Sequence, residues 1–347
     1  MPDDLLLKDF QPRSELLVEQ HPVERAKFPA IDAHNHLGLW GGDTAAAIAQ
    51  KVAEMDAAGI RATMDLDGGR LRPLGEQLAR LKGAHPDRFY VLSALPWQEE
   101  VEAGGDFGQR LASRLEQDIR QGADGLKIFK SLGLGVRGRD GKYILPDDPR
   151  IAAVFATCGE LKAPCLYHVA DPIAFFKPLD RFNERWEELT EHPNWHVYGD
   201  AFPSYAQLME SQEKLLEQHP ATTFQAAHLA STAEDLAYAA QLLDRYPNLN
   251  MDLSERIAEL GRQPYTARRF LIKYADRILY GTDKPIDRHA HRLYCRFLET
   301  FDEYFPYSPR PTPPQGRWQI CGVGLPDEVL RKIYYRNAQR LYGKQPR

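Results

Sequence analysis

This sequence of 347 residues has few cysteines, no long hydrophobic run and no excess of positive charge. Its four cysteines form no C-x-x-C pair, so neither a disulfide-rich scaffold nor a cysteine zinc site is indicated. No stretch of about 18 apolar residues is present, which excludes a membrane-spanning helix. The 44 basic and 49 acidic residues give a net charge of −5, and this balance argues against non-specific binding to nucleic acid.

The first residues also lack the features of a targeting segment. A secretory signal combines a basic start with an apolar stretch of roughly 7–15 residues, whereas here Asp3, Asp4 and Asp9 flank only three leucines. We therefore expect a cytoplasmic protein with free thiols.

The turn after the first apolar run reads LGLWGG rather than G-x-G-x-x-G, which disfavours a dinucleotide-binding fold.

What the sequence does contain is a regular alternation of apolar β-type runs and helical patterns. Between the runs, stretches such as DTAAAIAQKVAEMDAAG and RLASRLEQDIRQGA place their apolar residues at helical spacing. Strict alternation of strand and helix predicts a parallel sheet, and eight units are the number that closes a (β/α)8, or TIM, barrel. The predicted strands cover 30–37, 61–67, 88–95, 124–130, 164–170, 222–229, 248–254 and 277–283.

Three segments fall outside these units. Residues 1–29 form an N-terminal arm, so that the barrel with its C-terminal helix occupies 30–347. A long loop of about 50 residues follows strand 5, and connections of this length in compact domains tend to be functional. A stretch rich in proline and aromatic residues follows the eighth strand, and after it Pro326, Asp327 and Gly343 mark the two ends of a terminal helix.

Histidine and aspartate occur where such a barrel places its chemistry, at the carboxyl ends of the strands. His34 and His36 end the first strand, and the two-residue period of a strand places both imidazoles on one side. His168, His228 and Asp283 end the fifth, sixth and eighth strands. Together they predict a divalent metal site, for which Zn²⁺ is the first expectation and Fe²⁺ or Mn²⁺ the alternatives. Taken singly, His168 could be a hydrogen-bonded core residue and Asp283 a helix cap.

The other histidines lie in the arm, the helices or the loops, and for most of them we expect surface positions. They are His21, His85, His192, His196, His219, His289 and His291. The last two follow the eighth strand and could approach the site.

These motifs together resemble the metal-dependent amidohydrolase superfamily. The segments IDAHNH, AHL and YGTDKP are similar to its amidohydrolase-related branch, which also contains aminocarboxymuconate-semialdehyde decarboxylase and related aromatic-acid decarboxylases. The ending RKIYYRNAQRLYG is similar too, so the resemblance spans roughly residues 30–343. It implies that one metal ion is bound by His34, His36, His168 and Asp283. It also implies that Asp283 and His228 carry protons in catalysis.

The fourth strand contributes a lysine whose role is open. Lys127 and Lys130 are an odd number of residues apart, so a strand would place them on opposite faces and at most one of them points inward. The GLKIF segment resembles a Gly-x-Lys pattern of the same branch, which favours Lys127 as the inward residue. An inward Lys127 could bind an anionic group of the substrate, form a structural ion pair, or be carboxylated to bridge two metal ions. Arg181 and Trp97 are further candidates for substrate binding, through a guanidinium group and an aromatic ring.

The resemblance implies an enzyme but leaves its reaction open. Hydrolysis of an amide or lactone by a metal-activated water is the first hypothesis, and decarboxylation of an aromatic or unsaturated carboxylic acid is the alternative. A barrel that binds a metal without turnover is least favoured, because Asp283 and His228 retain the means of proton transfer. We expect a small-molecule substrate, no nucleic-acid or membrane partner, and consider a homodimer.

Overall fold

Eight parallel strands follow one another in a single sheet, so the predicted (β/α)8 barrel is confirmed. The computed structural model describes residues 5–6, 9–37, 42 and 44–343. Each strand pairs in parallel with the next one along the chain. The strands are β1 (Ala30–Asn35), β2 (Ile60–Gly68), β3 (Phe89–Ala94), β4 (Gly125–Ile128), β5 (Cys165–Tyr167), β6 (Phe224–Ala226), β7 (Leu249–Asp252) and β8 (Ile278–Leu279).

The sheet closes between its last and first strands. The backbone N–H of Ala33 in β1 donates to the carbonyl of Tyr280, directly after β8, over 2.9 Å. The N–H of Asp283 donates to the carbonyl of His34, also over 2.9 Å. Because the carboxyl ends of all eight strands then surround one mouth, side chains that are far apart in sequence become neighbours there.

Helices follow the strands and pack on the outside of the sheet. Thr44, Asp106 and Ser204 each cap a helix by accepting a backbone N–H of its first turn. No helix in the described part of the chain is long and apolar enough to cross a membrane. The α-helices are α1 (Ala45–Ala58), α2 (Leu74–Leu78), α3 (Trp97–Ala103), α4 (Phe107–Gln121), α5 (Ser131–Leu134), α6 (Ala152–Glu160), α7 (Trp186–Glu191), α8 (Tyr205–Gln218), α9 (Leu236–Arg245), α10 (Ile257–Leu260), α11 (Pro264–Lys273), α12 (Arg288–Glu299), α13 (Asp327–Arg331) and α14 (Asn337–Tyr342).

Apolar side chains cover both faces of the sheet. The larger cluster packs the outward-facing strand residues against the helices. A smaller cluster fills the barrel with alternate strand residues such as Met64 and Leu66 of β2 and Tyr90 and Leu92 of β3. The barrel is therefore a packed core below its mouth and not a pore.

The terminal helix closes the barrel at the end opposite the mouth. As predicted, helical structure begins after Pro326 and ends at Gly343, whose φ of 64° is the left-handed conformation typical of a helix end. Leu341 and Tyr342 belong to the interior cluster. The Tyr342 hydroxyl donates to Gln225 of β6 over 2.7 Å, so this helix is joined to the barrel by a buried polar contact as well.

The long connection after β5 is folded against the mouth. It contains α7 and α8, and just before α7 the buried Arg185 forms ion pairs with Glu188 and with Glu259 of α10. The proline-rich stretch near the C-terminus forms one antiparallel bridge with itself and places Trp318 against Arg185, with 5.7 Å between the guanidinium carbon and the ring centroid. Both segments are thus fixed to the barrel and to each other.

The N-terminal arm lies on the outside of the barrel, where its backbone contacts residues at the end of α12 and just after it. The backbone N–H of His21 donates to Asp302 over 2.8 Å, and that of Lys27 donates to Glu299 over 2.9 Å. Closer to the N-terminus, Leu16 and Leu17 are exposed. The arm is therefore attached through its second half.

Candidate metal centre and active site

Three imidazoles converge on the carboxylate of Asp283. The Nε2 atoms of His34 and His228 each lie 3.7 Å from Asp283 Oδ2, and Nε2 of His36 lies 3.7 Å from Oδ1. All three histidines are buried, and the carboxylate keeps a small exposed fraction at the mouth. The structure thus brings together four of the five residues that the strand-end pattern indicated as one site.

Irregular register near the ends of β1 and β2 aims polar side chains into the barrel. Three residues of β1 span only two residues of β2, and an extra residue of this kind reverses the alternation of inside and outside. Ala33 therefore packs in the interior cluster, yet His34 and His36 after it also point inward. β2 has the same irregularity before Gly68, where Asp67 reaches His36.

Carboxylates hold both histidines of β1 through the ring nitrogen that faces away from Asp283. Nδ1 of His34 lies 3.0 Å from Asp252 Oδ2, and Nδ1 of His36 lies 3.2 Å from Asp67 Oδ1. Because an ionised carboxylate can only accept, each Nδ1 carries the proton and each Nε2 keeps its lone pair. Metal-binding histidines are held in this way, and the partner fixes both tautomer and ring orientation.

His228 is held by the turn after β7. Its Nδ1 lies 2.9 Å from the carbonyl oxygen of Ser254, which again leaves Nε2 unprotonated. Its backbone N–H donates to Asp252 Oδ1 over 3.0 Å, and the Ser254 hydroxyl hydrogen-bonds the same oxygen. Asp252 therefore orients His34 directly and His228 through the backbone.

His168 joins the cluster in a different orientation. Its ring meets that of His228 edge-on, with the centroids 4.4 Å apart and the planes at 71°. Its Nε2 lies 3.1 Å from the carbonyl oxygen of Ala170 and 3.5 Å from Asp171 Oδ1. Since both of these groups accept, Nε2 carries the proton, and Nδ1 is the nitrogen that remains for a metal ion.

The turns that carry the site adopt a backbone conformation unusual for residues other than glycine. Residues 228–231 all have φ between 54° and 60°, and Asp283 has a φ of 53°. For a residue with a Cβ atom the left-handed conformation costs roughly 1–2 kcal/mol. Backbone strain of this kind clusters at functional sites, where the surrounding structure holds it in place.

Burial determines the protonation states of the cluster. Burial lowers the pKa of His34, and burial together with the charges of His168 and Arg256 lowers the pKa of His228. Burial alone would raise the pKa of Asp283, but the neighbouring His34 and His36 hold it below its ordinary value. Deprotonated imidazoles and an ionised carboxylate are the forms that bind a divalent cation.

This donor set fits a divalent cation. Nε2 of His34 and Oδ1 of Asp283 are buried atoms without a hydrogen-bond partner among the residues that the structure describes. The ligand atoms of His34, His36 and Asp283 lie within 4.8 Å of one another, so one ion could contact all three. A second group of His34, His228 and Asp252 meets the same limit, but there His34 and Asp252 already hydrogen-bond each other.

Lys127 of β4 faces the same cluster. Its side chain is 1% exposed, and Nζ has no hydrogen-bond partner within the described ranges. Burial lowers the pKa of Lys127 to about 8, although the charges of Asp283 and Asp252 act in the opposite direction. Lys130 has a different environment, because its Nζ pairs with Asp171 over 2.6 Å.

Trp97 and Arg181 occupy contrasting environments. Trp97 begins α3 as part of the larger apolar cluster, and its indole N–H is buried without a partner in the described structure. Arg181 is exposed, and its guanidinium carbon lies 4.8 Å from the ring centroid of Phe182, which is also exposed. Substrate binding by either residue stays a prediction, and the exposed position favours Arg181 less than Trp97.

His291 does not lie at the surface, where most of the remaining histidines were expected. It lies on the buried face of α12, with Nδ1 2.9 Å from the hydroxyl of Tyr280 after β8. Its position in the helix turns it toward the barrel wall, which sequence position alone did not show.

Sequence reasoning also missed the carboxylates behind the histidines. Asp67 and Asp252 lie at the carboxyl ends of β2 and β7, and both are buried. A charged residue at the end of an otherwise apolar strand was the available signal. It is the same signal that singled out Asp283.

A family model described as amidohydrolase matches residues 31–344, which span the barrel and its terminal helix. The chain belongs to the amidohydrolase family. No curated protein matches the sequence of this amidohydrolase.

Solved structures of similar fold include two decarboxylases and a hydratase. The 2,6-dihydroxybenzoate decarboxylase from Rhizobium is 16% identical with a TM-score of 0.57, over 91% of this chain and 98% of its own. A dihydroxybenzoic acid decarboxylase from a Polaromonas species, with bound manganese and the inhibitor 2-nitroresorcinol, is 17% identical with a TM-score of 0.58, over 91% and 97%. The 4-oxalomesaconate hydratase from Rhodopseudomonas palustris is 13% identical with a TM-score of 0.53, over 90% and 95%. At these identities the likeness shows the fold.

Proposed function

We propose that this amidohydrolase-family protein is a metal-dependent decarboxylase of a small aromatic or unsaturated carboxylic acid. The observation that carries the proposal is Lys127, a buried amino group that interacts electrostatically with Asp283 and has no hydrogen-bond partner among the described residues. A buried ammonium group without a hydrogen-bond acceptor is unfavourable, and an anionic substrate would supply both an acceptor and a negative charge. The neutral amide or lactone of the hydrolysis hypothesis would supply an acceptor but no charge. The two decarboxylases of similar fold support the same choice.

The cation of this site would be held by His34, His36, His168 and Asp283. Zn²⁺ suits three imidazoles and a carboxylate, and Mn²⁺ is the ion bound in the Polaromonas relative. When bound, a divalent cation attracts the electron density of substrate oxygens and stabilises developing negative charge. The residues of this chain then provide binding, orientation and proton transfer.

Lys127 would bind an anionic oxygen of the substrate and so position the carboxylate that leaves. As the bond between carbon and CO₂ breaks, its electron pair stays on carbon, which takes up a proton. Asp283 is the proposed proton carrier, because its Oδ1 is buried and free of hydrogen bonds in the described structure. His228 has an unprotonated Nε2 3.7 Å from the same carboxylate, so it would accept a hydrogen bond and orient the proton or a substrate hydroxyl.

Hydrolysis of an amide or lactone is the second candidate, and Lys127 gives it one specific support. A lysine whose pKa is about 8 has an appreciable neutral fraction near neutral pH. A neutral amine can react with CO₂ to form the carbamate that would bridge two metal ions.

A substrate panel that follows two products separates these candidates. The purified protein, loaded in turn with Zn²⁺ and Mn²⁺, is incubated with aromatic and unsaturated carboxylic acids, amides and lactones while CO₂ release and hydrolysis are measured separately. We expect CO₂ release, with at least a 100-fold loss of kcat in Asp283→Asn, on the order of the contribution of acid–base catalysis. Hydrolysis without CO₂ release would favour the second candidate, and a fully active Asp283→Asn enzyme would exclude the proton-transfer role. Metal binding without any turnover would favour the non-catalytic barrel.

A further inference from the structure

We infer that Lys130 is a positioning residue of the metal centre and acts on His168 through Asp171. The inference deepens the proposed function and rests on it, because it explains how one ligand of the proposed centre is oriented. Neither Lys130 nor Asp171 belongs to the proposed ligand set.

A continuous set of contacts leads from Lys130 to the His168 ring. Nζ of Lys130 lies 2.6 Å from Asp171 Oδ2, and the other oxygen, Oδ1, lies 3.5 Å from His168 Nε2. The carbonyl oxygen of Ala170 accepts from the same Nε2 over 3.1 Å, and this carbonyl oxygen also accepts from the hydroxyl of Ser231. The ring is therefore held on its Nε2 side, and Nδ1 is left for the cation.

His168 needs this support more than His34 does. His34 belongs to β1 and is held by Asp252 of β7, so both partners are fixed by the sheet. His168 and Asp171 instead follow the end of β5, in a stretch without regular secondary structure. A carboxylate in such a stretch keeps its orientation only if a second residue holds it, and Lys130, two residues beyond β4, provides that contact.

The surroundings of the ion pair indicate that Lys130 determines the orientation of Asp171. Asp171 is buried, whereas the side chain of Lys130 is 35% exposed and lies 5.6 Å from the ring centroid of Trp195. Removing the lysine would leave a buried carboxylate whose remaining polar side-chain partner, among the described residues, is His168. The carboxylate would then move toward Nε2 and turn the ring, which would shift Nδ1 away from the cation.

Cobalt binding to the full-length apoprotein tests the inference without any substrate. Affinity for Co²⁺ is measured by chelator competition, and the visible absorption of bound Co²⁺ reports on the nitrogen and oxygen atoms around it. The variants are Lys130→Met, Lys130→Arg, Asp171→Asn and the double variant Lys130→Met/Asp171→Asn. The matched control is Lys82→Met, which removes a similar pair with Asp124, 2.8 Å long, from the opposite end of β4. Thermal unfolding of each apoprotein reports on folding.

We expect Lys130→Met and Asp171→Asn each to lower the Co²⁺ affinity about 10–100-fold and to alter the spectrum, as loss of a partner behind a metal ligand does. Lys130→Arg should restore both, and Lys82→Met should leave both unchanged. Because Lys130 acts through Asp171, the double variant should bind no more weakly than Asp171→Asn alone.

Three results would overturn the inference. They are wild-type affinity and spectrum in Lys130→Met, additive losses in the double variant, and an equal loss in Lys82→Met. If Lys130→Met fails to fold, Asp171→Asn and Lys130→Arg decide by the same criteria. Failure of the wild-type apoprotein to bind Co²⁺ would instead overturn the metal centre of the proposed function, so the two failures are distinguishable.

Discussion

Asp252 Oδ2 lies 3.0 Å from Nδ1 of His34, and Gln225 donates to the same oxygen over 2.8 Å. The other oxygen of Asp252 accepts the backbone N–H of His228. One carboxylate at the end of β7 thus fixes two of the three imidazoles that face Asp283. Burial would raise the pKa of Asp252, but His34 and the hydrogen bonds of Ser254 and Gln225 hold this pKa well below its ordinary value. The carboxyl group of Asp252 is therefore ionised.

Asp252→Asn should weaken metal binding while leaving the proposed ligands in place. The amide keeps the shape of the side chain but loses the charge that favours a protonated Nδ1 on His34. We expect a 10–100-fold loss of affinity for Zn²⁺ or Mn²⁺, measured by chelator competition. Asp118→Asn is a suitable control, since Asp118 is also buried but accepts from Ser93 on the other side of the fold. Unchanged metal affinity in Asp252→Asn would contradict the orienting role.

Lys127→Met should stabilise the metal-free protein and impair the enzyme. The pKa of Lys127 falls from an ordinary value of 10.5 to about 8 on folding, so below pH 8 the folded state buries an ammonium that the unfolded chain exposes to water. This shift corresponds to roughly 3 kcal/mol, the upper limit of the expected gain in unfolding free energy at pH 7. Between about pH 8 and 10.5 only the unfolded chain holds the proton, so the wild-type protein gains stability as pH rises and the advantage of the variant fades.

Urea unfolding of both proteins at pH 7 and pH 10 measures this difference, and an advantage that did not fade would contradict the buried charge. The same variant should raise the KM of an anionic substrate. In the wild-type enzyme, KM should also rise above about pH 8, where Lys127 loses its proton. A KM independent of pH and of Lys127 would contradict the anion-binding role.

Leu341→Ala should lower stability without affecting the metal centre. Leu341 packs in the barrel interior at the end opposite the mouth, where truncating a buried leucine costs about 2–5 kcal/mol. Chemical denaturation should show this loss, and the Co²⁺ affinity of the folded variant should equal that of wild type. Reduced affinity would show that the closing helix also influences the site.

Removal of residues 1–18 tests whether the chain forms a homodimer through its arm. Leu16 and Leu17 are exposed on a segment without regular secondary structure, so their apolar side chains are available for contact with a second copy of the chain. We expect the full chain to be dimeric by light scattering and the shortened chain to be monomeric. Leu16→Ser/Leu17→Ser should have the same effect, and an unchanged mass in both variants would contradict a role of the arm.

The fold could be predicted from the sequence because its signals are local. Alternating apolar runs and helical patterns gave the eight strands, and Pro326 and Gly343 gave the limits of the terminal helix. Except for β2, which extends one residue beyond the predicted 61–67 at each end, the predicted strands were too long, and 222–229 contains only Phe224–Ala226 as a strand. Residues 228–231 turn into the left-handed conformation there, although none of them is glycine. That conformation depends on tertiary contacts and leaves no trace in residue preferences.

The site could be predicted only in part, because its geometry depends on pairings between distant residues. Strand-end positions identified His34, His36, His228 and Asp283 as neighbours. Neither the pairing of His34 with Asp252 nor the register irregularity of β1 can be recognised from local patterns. The reversed ring of His168 depends on a loop carboxylate, and nothing in the sequence around Asp171 distinguishes it from a surface residue.

The closure between β8 and β1 has a consequence for how the protein is made. His34 leaves the ribosome early, whereas Asp283, which closes the seam by donating its N–H to the His34 carbonyl, leaves near the end of synthesis. The terminal helix that fills the opposite end of the barrel is later still. The histidines of β1 are therefore synthesised long before Asp283 is available. The proposed metal centre can assemble only after the last strand has paired with the first.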